Sequence, residues 1–381
     1  MAEGRFCRAY GGQWGKHVTG KRVTVLGGGN TAFSMAANLA LAGSEVLLWE
    51  HPDFADTIDP IRESLTIHLD GTGPTGAARL AAVTTDAARA LAWSESLVCS
   101  VPSYAHGPIL EQLLPHLKPG HVLALLPGNL GALAVAGALQ EAGVEGVIVA
   151  EADTAPYVCR KSAPDRAVIW GTVTGLGIGV VPASQTDEAM PVLRELFPGA
   201  VAYGSALEAG LSALNPVVHP PGVLMNAGRI ERSRGEFWFY EEGVTPAVVN
   251  VIEAVDRERL ALGAALGLRL TPVAEAFHRA GFGPAGDFWS TINGSRMLTA
   301  LRAPGQVETR WLTEDIPFGL ATWALLGDRL GVETPVMDSL VTLASATLGR
   351  DFRSETRGVQ SLGLSQLNDE SLRAMATGIA G

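Results

Sequence analysis

The chain has few cysteines and few lysines, and both shortages exclude certain kinds of functional site. Its three cysteines, Cys7, Cys99 and Cys159, lie far apart, and no Cys-x-x-Cys pair or Cys/His cluster occurs. We therefore expect neither a disulfide framework nor a metal site, and a reducing compartment such as the cytoplasm fits. No lysine follows Lys161, so the second half of the chain offers no lysine as an acid or base.

Concentrated positive charge and long apolar segments are also missing. The formal net charge is −11 and no basic patch relieves it, which disfavours binding to nucleic acid or to anionic membranes. The first 20 residues lack the apolar core of a signal peptide. The uncharged stretch 167–184 is rich in glycine and β-branched residues, so we interpret it as strands and a turn rather than a membrane helix.

The two halves of the chain differ in the periodicity of their hydrophobic residues. Up to about residue 203, short β-branched runs alternate with amphipathic stretches, which is typical of a parallel sheet covered by helices. The strand candidates are 22–26, 45–49, 97–101, 121–126 and 147–150, and helices are expected at 31–41 and 108–117. From about residue 205 the pattern becomes helical, at 248–266, 318–330, 335–348 and 364–379. We expect a flexible lead-in (1–20), a doubly wound α/β domain (21–204), a hinge near 197–205 and an all-helical domain (205–381).

A glycine-rich loop follows the first strand candidate. The motif has the pattern G-x-G-x-x-A and consists of Gly27, Gly28, Gly29, Asn30, Thr31 and Ala32. In such a loop the first glycine permits a tight turn, the second lets the backbone approach a pyrophosphate, and the following helix directs its N–H groups at the phosphates. The strand before the loop and the helix after it make this a dinucleotide-binding (Rossmann) unit.

Glu50 directly follows the second strand candidate. Its distance in sequence from Gly27 is close to the ~20-residue spacing expected for a carboxylate that binds the adenosine ribose. A carboxylate there repels the 2′-phosphate of NADP, so NAD(H) is the preferred cofactor. His51 and Arg62 lie nearby in sequence and leave NADP(H) open. Val101 is the last residue of the third strand candidate, and the carboxyl ends of parallel strands border the cofactor cleft.

Two segments of the second half contain residues suited to a hydride-transfer reaction, which needs a proton donor and often a cation for a substrate carboxylate. In Asn215-Pro216-Val217-Val218-His219-Pro220-Pro221, the prolines are expected to open a helix just after His219, with Asn215 as a candidate substrate ligand. The second segment pairs Arg310 with Asp315, shortly before another expected helix. From the spacing alone, His219 could equally be a core or capping histidine, Asp315 a helix cap and Arg310 a surface charge.

The amino-acid sequences of these segments resemble those of the opine dehydrogenase family, the octopine and nopaline dehydrogenase type. The similar segments are NPVVHPPGVLMNAGRIE, GEFWFYEEGVTPAVVNVIEAVDRERLALGAALG, RWLTEDIPFGL and GVETPVMDSL, together with GGGNTA, SVPS, PGNLGA and EADTAPYVCR. The resemblance covers roughly residues 21 to 364. It implies a Rossmann domain joined to an all-helical domain, with the active site between them.

The resemblance also implies a reaction and residue roles. The family condenses the amine of an amino acid with a 2-oxo acid such as pyruvate, and NAD(P)H reduces the resulting imine to an N-(carboxyalkyl) amino acid. His219 resembles the catalytic histidine, Asp315 its carboxylate partner and Arg310 the arginine that binds a substrate carboxylate. The stretch 281–302 does not match the family clearly and leaves the amino-acid specificity open. A homodimer is a possible assembly.

Two other interpretations remain open at this point. The chain could be a different two-domain reductase, similar to ketopantoate reductase or glycerol-3-phosphate dehydrogenase. Those families usually rely on a lysine in the helical domain, and the lack of any lysine after Lys161 argues against them. It could also be an NAD-binding protein without catalytic activity, although the His219 and Arg310/Asp315 segments argue against that.

Overall fold

The computed structural model describes residues 20–378, so the predicted lead-in falls almost entirely outside the described residues. Every described strand lies in the first half of the chain. The strands are β1 (Arg22–Leu26), β2 (Glu45–Trp49), β3 (Thr66–Gly71), β4 (Gly76–Arg79), β5 (Ala82–Thr84), β6 (Ser96–Cys99), β7 (Val122–Leu125), β8 (Ile148–Ala152), β9 (Tyr157–Ala163), β10 (Arg166–Thr172), β11 (Gly177–Val181) and β12 (Val201–Ala202).

An eight-stranded sheet forms the centre of this half, in the order β12-β11-β8-β7-β6-β1-β2-β5. Strands β5, β2, β1, β6, β7 and β8 run parallel, and only β11 pairs antiparallel, with β8. The chain leaves β1 toward β2 and later returns to β6 on its other side. Such a reversal opens a crevice at the carboxyl ends of β1 and β6, which is where open α/β sheets bind their ligands.

A second, four-stranded sheet has the order β4-β3-β10-β9 and packs over helix α1 (Asn30–Leu41). Helix α1 is therefore enclosed between two sheets, and its small residues Ala32, Ala36 and Ala37 are fully buried. The sequence predicted strands in 167–184, which become β10 and β11, but it did not predict β3, β4 or β9. Polar or half-exposed residues alternate with buried ones along β3, so its apolar signal is weak.

The second half of the described chain is helical apart from an isolated bridge between Trp238 and Arg302. After α1, the helices are α2 (Ala87–Trp93), α3 (His106–Leu113), α4 (Gly131–Glu141), α5 (Thr186–Leu196), α6 (Ala206–Leu211), α7 (Asn215–Leu224), α8 (Ala227–Ser233), α9 (Pro246–Ala265), α10 (Val273–Arg279), α11 (Phe288–Asn293), α12 (Arg310–Thr313), α13 (Ala321–Leu330), α14 (Pro335–Leu348) and α15 (Asp369–Thr377). The predicted fold class, a Rossmann sheet followed by a helical domain, is confirmed.

Several helix boundaries differ from the prediction; the helix expected at 364–379, for example, begins at Asp369. Two of the differences concern the candidate site. Helix α7 begins at Asn215 and includes Pro220 and Pro221, whereas the sequence suggested that these prolines open the helix. Pro220 and Pro221 are the sixth and seventh residues of α7 and are buried, so packing compensates for the two backbone N–H groups that they lack. The helix expected at 318–330 starts instead as a π-helical turn, Ile316–Leu320, before α13.

The uncharged stretch 167–184 forms strands, as the sequence predicted. Among the helices of residues 20–378, none combines the length and the apolar character needed to cross a bilayer.

Candidate active site

The glycine loop lies at the crevice between β1 and β6. Gly27 has a backbone φ of +115°, a value that residues other than glycine rarely adopt. A Cβ atom there would also lie 2.9 Å from Val101 Cγ1 and 3.0 Å from the Ser100 carbonyl oxygen. Gly29 ends the loop ahead of α1 and has open space where its side chain would be. The loop therefore presents bare backbone to the crevice.

Glu50 closes this loop from the end of β2. Its carboxylate is buried and accepts the Gly28 N–H, the His51 N–H at 2.8 Å and the Thr57 hydroxyl at 3.2 Å. Burial raises the pKa of the Glu50 carboxyl, while the hydrogen bonds from His51 and Gly28 oppose the rise. The sequence identified Glu50 from its spacing, and the structure brings its carboxylate against the loop.

The residues around the loop fit a dinucleotide. A Cβ on Gly28 would lie 2.3 Å from Thr57 Oγ1 and 2.6 Å from Glu50 Oε2, so only glycine leaves this cradle intact. Asn30 is the first residue of α1, and its Oδ1 accepts the Lys161 backbone N–H at 2.9 Å. Thr31 follows it at the helix N-terminus, the part of a helix that favours phosphate groups.

Replacing Gly28 with alanine is expected to weaken NADH binding by about ten- to hundredfold. The added methyl group must displace Glu50 or Thr57, and overpacking of this kind costs about 1–3 kcal/mol. Titration of NADH fluorescence measures the dissociation constant directly. Gly137→Ala in α4 is the matched control, because no heavy atom lies within 4 Å of the added Cβ. Equal affinities of the two variants would contradict the placement of the cofactor at this loop.

His219 and Asp315 meet in the helical half. His219 Nδ1 lies 2.8 Å from Asp315 Oδ2, and the two side chains are 12% and 6% exposed. A carboxylate only accepts hydrogen bonds, so Nδ1 carries the proton and Nε2 remains for proton exchange. Burial raises the pKa of the Asp315 carboxyl, and the hydrogen bond from His219 opposes the rise.

Aromatic side chains hold this pair in place. The imidazole of His219 stacks on the indole of Trp311, with ring centroids 4.3 Å apart and an angle of 10° between the rings. Phe239 packs edge-on against the same indole at 4.7 Å. The Asp315 side chain does not cap the π-helical turn that follows it. The Asp315 carboxylate therefore bonds to His219 and is not the helix cap that the sequence left as an alternative.

Arg310 lies on the same short segment as Asp315 but forms a separate contact. Its Nε donates to Glu314 Oε2 at 2.8 Å. Burial lowers the pKa of the Arg310 guanidinium, but the Glu314 carboxylate outweighs this effect and raises it overall. Neither terminal nitrogen of Arg310 hydrogen-bonds to any residue within 20–378, and about half of the side chain is exposed. This edge of the guanidinium is therefore available for a bidentate contact.

Arg310 lines a cavity of about 630 Å³ in the helical half, to which Tyr104 of the first half also contributes. The lining residues are Tyr104, Glu308, Thr309, Arg310, Thr313, Phe318, Arg350 and Glu355. His219 is not among them. The helical spacing explains this, because Arg310 and Glu314 share one face of the segment whereas Trp311 and Asp315 share another. Asn215 lies four residues before His219, on the same side of α7.

Sequence reasoning did not identify Glu314 and Arg357, which connect the two halves. Glu314 Oε1 accepts the backbone N–H of Ser103 at 2.8 Å and its hydroxyl at 2.9 Å. Arg357 donates to the carbonyl oxygens of Ser103 and Asn129 and to His106 Nδ1. Burial lowers the pKa of Arg357 to about 10. The four-residue step from Arg310 to Glu314 was a usable signal, but nothing in the sequence indicated Arg357.

His51 and Arg62, which the sequence left as cations beside Glu50, have other partners. His51 Nδ1 accepts the Asp53 N–H at 3.2 Å, and Arg62 bonds to Asp59 at 2.9 Å. The cation near Glu50 is instead Lys161. Its ammonium group donates to the carbonyl oxygen of Thr57, the residue whose hydroxyl contacts the Glu50 carboxylate.

The Rossmann crevice, its glycine loop and the helical domain define an NAD(P)-dependent oxidoreductase with two domains. Residues 202–348 match the family of the NAD/NADP octopine/nopaline dehydrogenase, alpha-helical domain. Residues 22–128 match the NAD-dependent glycerol-3-phosphate dehydrogenase N-terminus. The opine dehydrogenase of Arthrobacter sp. (strain 1C) is 31% identical over 359 residues, which cover 94% of this chain and 99% of that protein. The chain belongs to the opine dehydrogenase family.

Solved structures share the fold over nearly the whole chain. An octopine dehydrogenase in complex with NADH and agmatine superposes with a TM-score of 0.75 at 21% identity, covering 94% of this chain and 98% of that one. A yersinopine dehydrogenase with NADP+ bound superposes with a TM-score of 0.70 at 17% identity, covering 94% and 98%. At these identities the similarity demonstrates the fold.

Proposed function

We propose that this protein joins the amine of an amino acid to the carbonyl carbon of a 2-oxo acid such as pyruvate, and catalyses the reverse oxidation. The amine and the carbonyl condense to an imine with loss of water. Addition of a hydride and a proton then gives an N-(carboxyalkyl) amino acid. The observation that carries the proposal is the His219–Asp315 hydrogen bond, on a segment whose Arg310 also lines the neighbouring cavity.

His219 exchanges the proton in this proposal. With Nδ1 donating to Asp315, the Nε2 atom takes a proton from the substrate amine and returns one to the leaving oxygen. Asp315 orients the ring and stabilises the imidazolium, as the acid does in hydrolase triads. The stack on Trp311 keeps the ring from rotating away.

Arg310 binds the carboxylate of the 2-oxo acid. Its two terminal nitrogens, which have no hydrogen-bond partner among residues 20–378, match the spacing of carboxylate oxygens, and Glu314 holds the Nε edge at 2.8 Å. Because Glu314 also bonds to Ser103 at the crevice, the arginine keeps a defined position relative to the cofactor side. Asn215 is proposed as a further substrate ligand from the helix that contains His219.

The proposed cofactor ligands are the loop and the strand ends of domain 21–204, and the catalytic residues belong to domain 205–381. Gly27, Gly28, Gly29, Asn30, Thr31, Glu50 and Val101 would hold the nicotinamide dinucleotide, which supplies the hydride when bound. NADH is the proposed preference because Glu50 is an acceptor for ribose hydroxyls. Related structures carry NADH in one case and NADP+ in another.

A matrix of amino acids against 2-oxo acids tests the function. Oxidation of NADH and of NADPH is followed by absorbance, and mass spectrometry identifies the product. We expect turnover only when both substrates are present, with a product heavier than the amino acid by the added carboxyalkyl group. Oxidation with a carbonyl compound and no amine would replace this proposal by a carbonyl reductase. Binding of NADH without turnover across the matrix would indicate a non-catalytic protein.

A further inference from the structure

Lys161 lies beside the glycine loop although it is distant from the loop in sequence. It belongs to β9 of the second sheet, and its backbone N–H donates to Asn30 Oδ1 at 2.9 Å. Its ammonium nitrogen lies 4.0 Å from the ring centroid of Phe33, on α1. These two contacts fix both ends of the lysine against the first turns of the helix that follows the loop.

The ammonium group of Lys161 shares a partner with Glu50. The ammonium group donates to the carbonyl oxygen of Thr57. The hydroxyl group of the same threonine donates to Glu50 Oε2 at 3.2 Å. Burial lowers the pKa of the Lys161 ammonium, and the carboxylates of Glu50 and Asp56 oppose that change. A cation and a buried carboxylate therefore occupy the same corner of the cofactor crevice.

This corner is the place where NAD and NADP differ chemically. In a Rossmann domain, the carboxylate at the end of the second strand binds the adenosine ribose hydroxyls, and NADP carries a phosphate on that ribose. A carboxylate without a nearby cation repels this phosphate. Lys161 is available for it, because its acceptor on Thr57 is an uncharged carbonyl oxygen that a phosphate oxygen can replace.

We propose that Lys161 binds the 2′-phosphate of NADP(H), so that one crevice accepts both cofactors: Glu50 recognises the free ribose hydroxyls and Lys161 the phosphorylated ribose. This inference rests on the proposed function only in assigning the crevice to a nicotinamide dinucleotide. It requires no turnover. It also replaces His51 and Arg62, which are paired elsewhere, as the source of NADP binding.

Binding of two cofactor fragments tests the proposal. Isothermal titration of the full-length protein gives dissociation constants for ADP-ribose and for 2′-phospho-ADP-ribose, neither of which undergoes hydride transfer. Lys161→Ala should weaken 2′-phospho-ADP-ribose by about ten- to hundredfold, as expected for one hydrogen bond to a charged group, and leave ADP-ribose nearly unchanged. Lys161→Arg should retain most of the affinity because it keeps the positive charge. The same pattern is expected for NADPH against NADH.

Lys118→Ala, at an exposed lysine of the same domain, is the matched control and should change neither constant. Equal weakening of both fragments by Lys161→Ala would assign the lysine to the shared pyrophosphate and overturn the proposal. Unchanged constants for both fragments would overturn it as well. Circular dichroism of each variant verifies folding. If the alanine variant unfolds, Lys161→Met, which keeps a long apolar side chain over Phe33 but loses the charge, should show the same selective weakening. Loss of opine formation would leave these results interpretable, because no step of the experiment requires catalysis.

Discussion

Replacing His219 with alanine is expected to lower kcat for opine formation by about 10²–10⁴-fold, the range typical of a general acid–base group. The variant loses the Nε2 atom that exchanges the proton, and it leaves Asp315 buried without its hydrogen-bond donor. Binding of NADH should change little, because the glycine loop and Glu50 belong to the other domain. Steady-state kinetics with saturating amino acid, 2-oxo acid and NADH measure the loss.

Two further variants separate catalysis from folding in this prediction. His219→Asn keeps a polar side chain against Trp311 and should lose activity to a similar extent, whereas His116→Ala, at an exposed histidine, should keep it. Asp315→Asn should lose less activity than His219→Ala and change the dependence of kcat on pH, since the amide no longer stabilises the imidazolium by charge. Turnover of His219→Ala close to that of the unmodified enzyme would refute the assignment.

Replacing Arg310 with alanine should lower kcat/KM for the 2-oxo acid by about 10²-fold or more. Two hydrogen bonds to a charged carboxylate contribute about 1.5–3 kcal/mol each, and the alanine variant loses both. The loss should fall mainly on KM for the oxo acid, because the contact exists before the chemical step as well as during it. Arg310→Lys should recover little, since an ammonium group cannot form the parallel bidentate contact.

The choice of substrate provides a sharper test of the same residue. A carbonyl compound without a carboxylate should be reduced with the amino acid equally slowly by the unmodified enzyme and by Arg310→Ala. Glu314→Gln, which loses the charge that holds Nε of Arg310, should raise KM for the oxo acid by less than Arg310→Ala does. Arg232→Ala in α8 serves as the control, because this arginine is exposed and belongs to neither the His219 segment nor the Arg310 segment. An equal loss with both kinds of substrate would show that Arg310 supports the fold instead.

The features that the sequence determined by itself are those with a local cause. The bounds of β1 and β2 agree with the prediction, since short apolar runs limited on both sides by polar residues or glycine specify a strand within a few positions. The order of strand, loop, helix and strand fixes the position of Glu50 relative to Gly27. Together with the alternation of strands and helices in the first half, these patterns also predicted the fold class. The roles of His219, Asp315 and Arg310 remain predictions from the resemblance, and the role of Asn215 remains a prediction from its place in the His219 segment.

Only the tertiary structure decided which distant residues meet. The second sheet places Lys161 beside Glu50, and no local pattern encodes a contact between a strand of one sheet and the carboxyl end of another. The contact of Glu314 with Ser103 likewise depends on how the helical half docks on the crevice. Packing also overrides local preference in α7, where burial keeps Pro220 and Pro221 inside a helix that their chemistry alone would end. Local residue chemistry therefore determined the elements of this protein, and the burial of surfaces from remote segments determined its site.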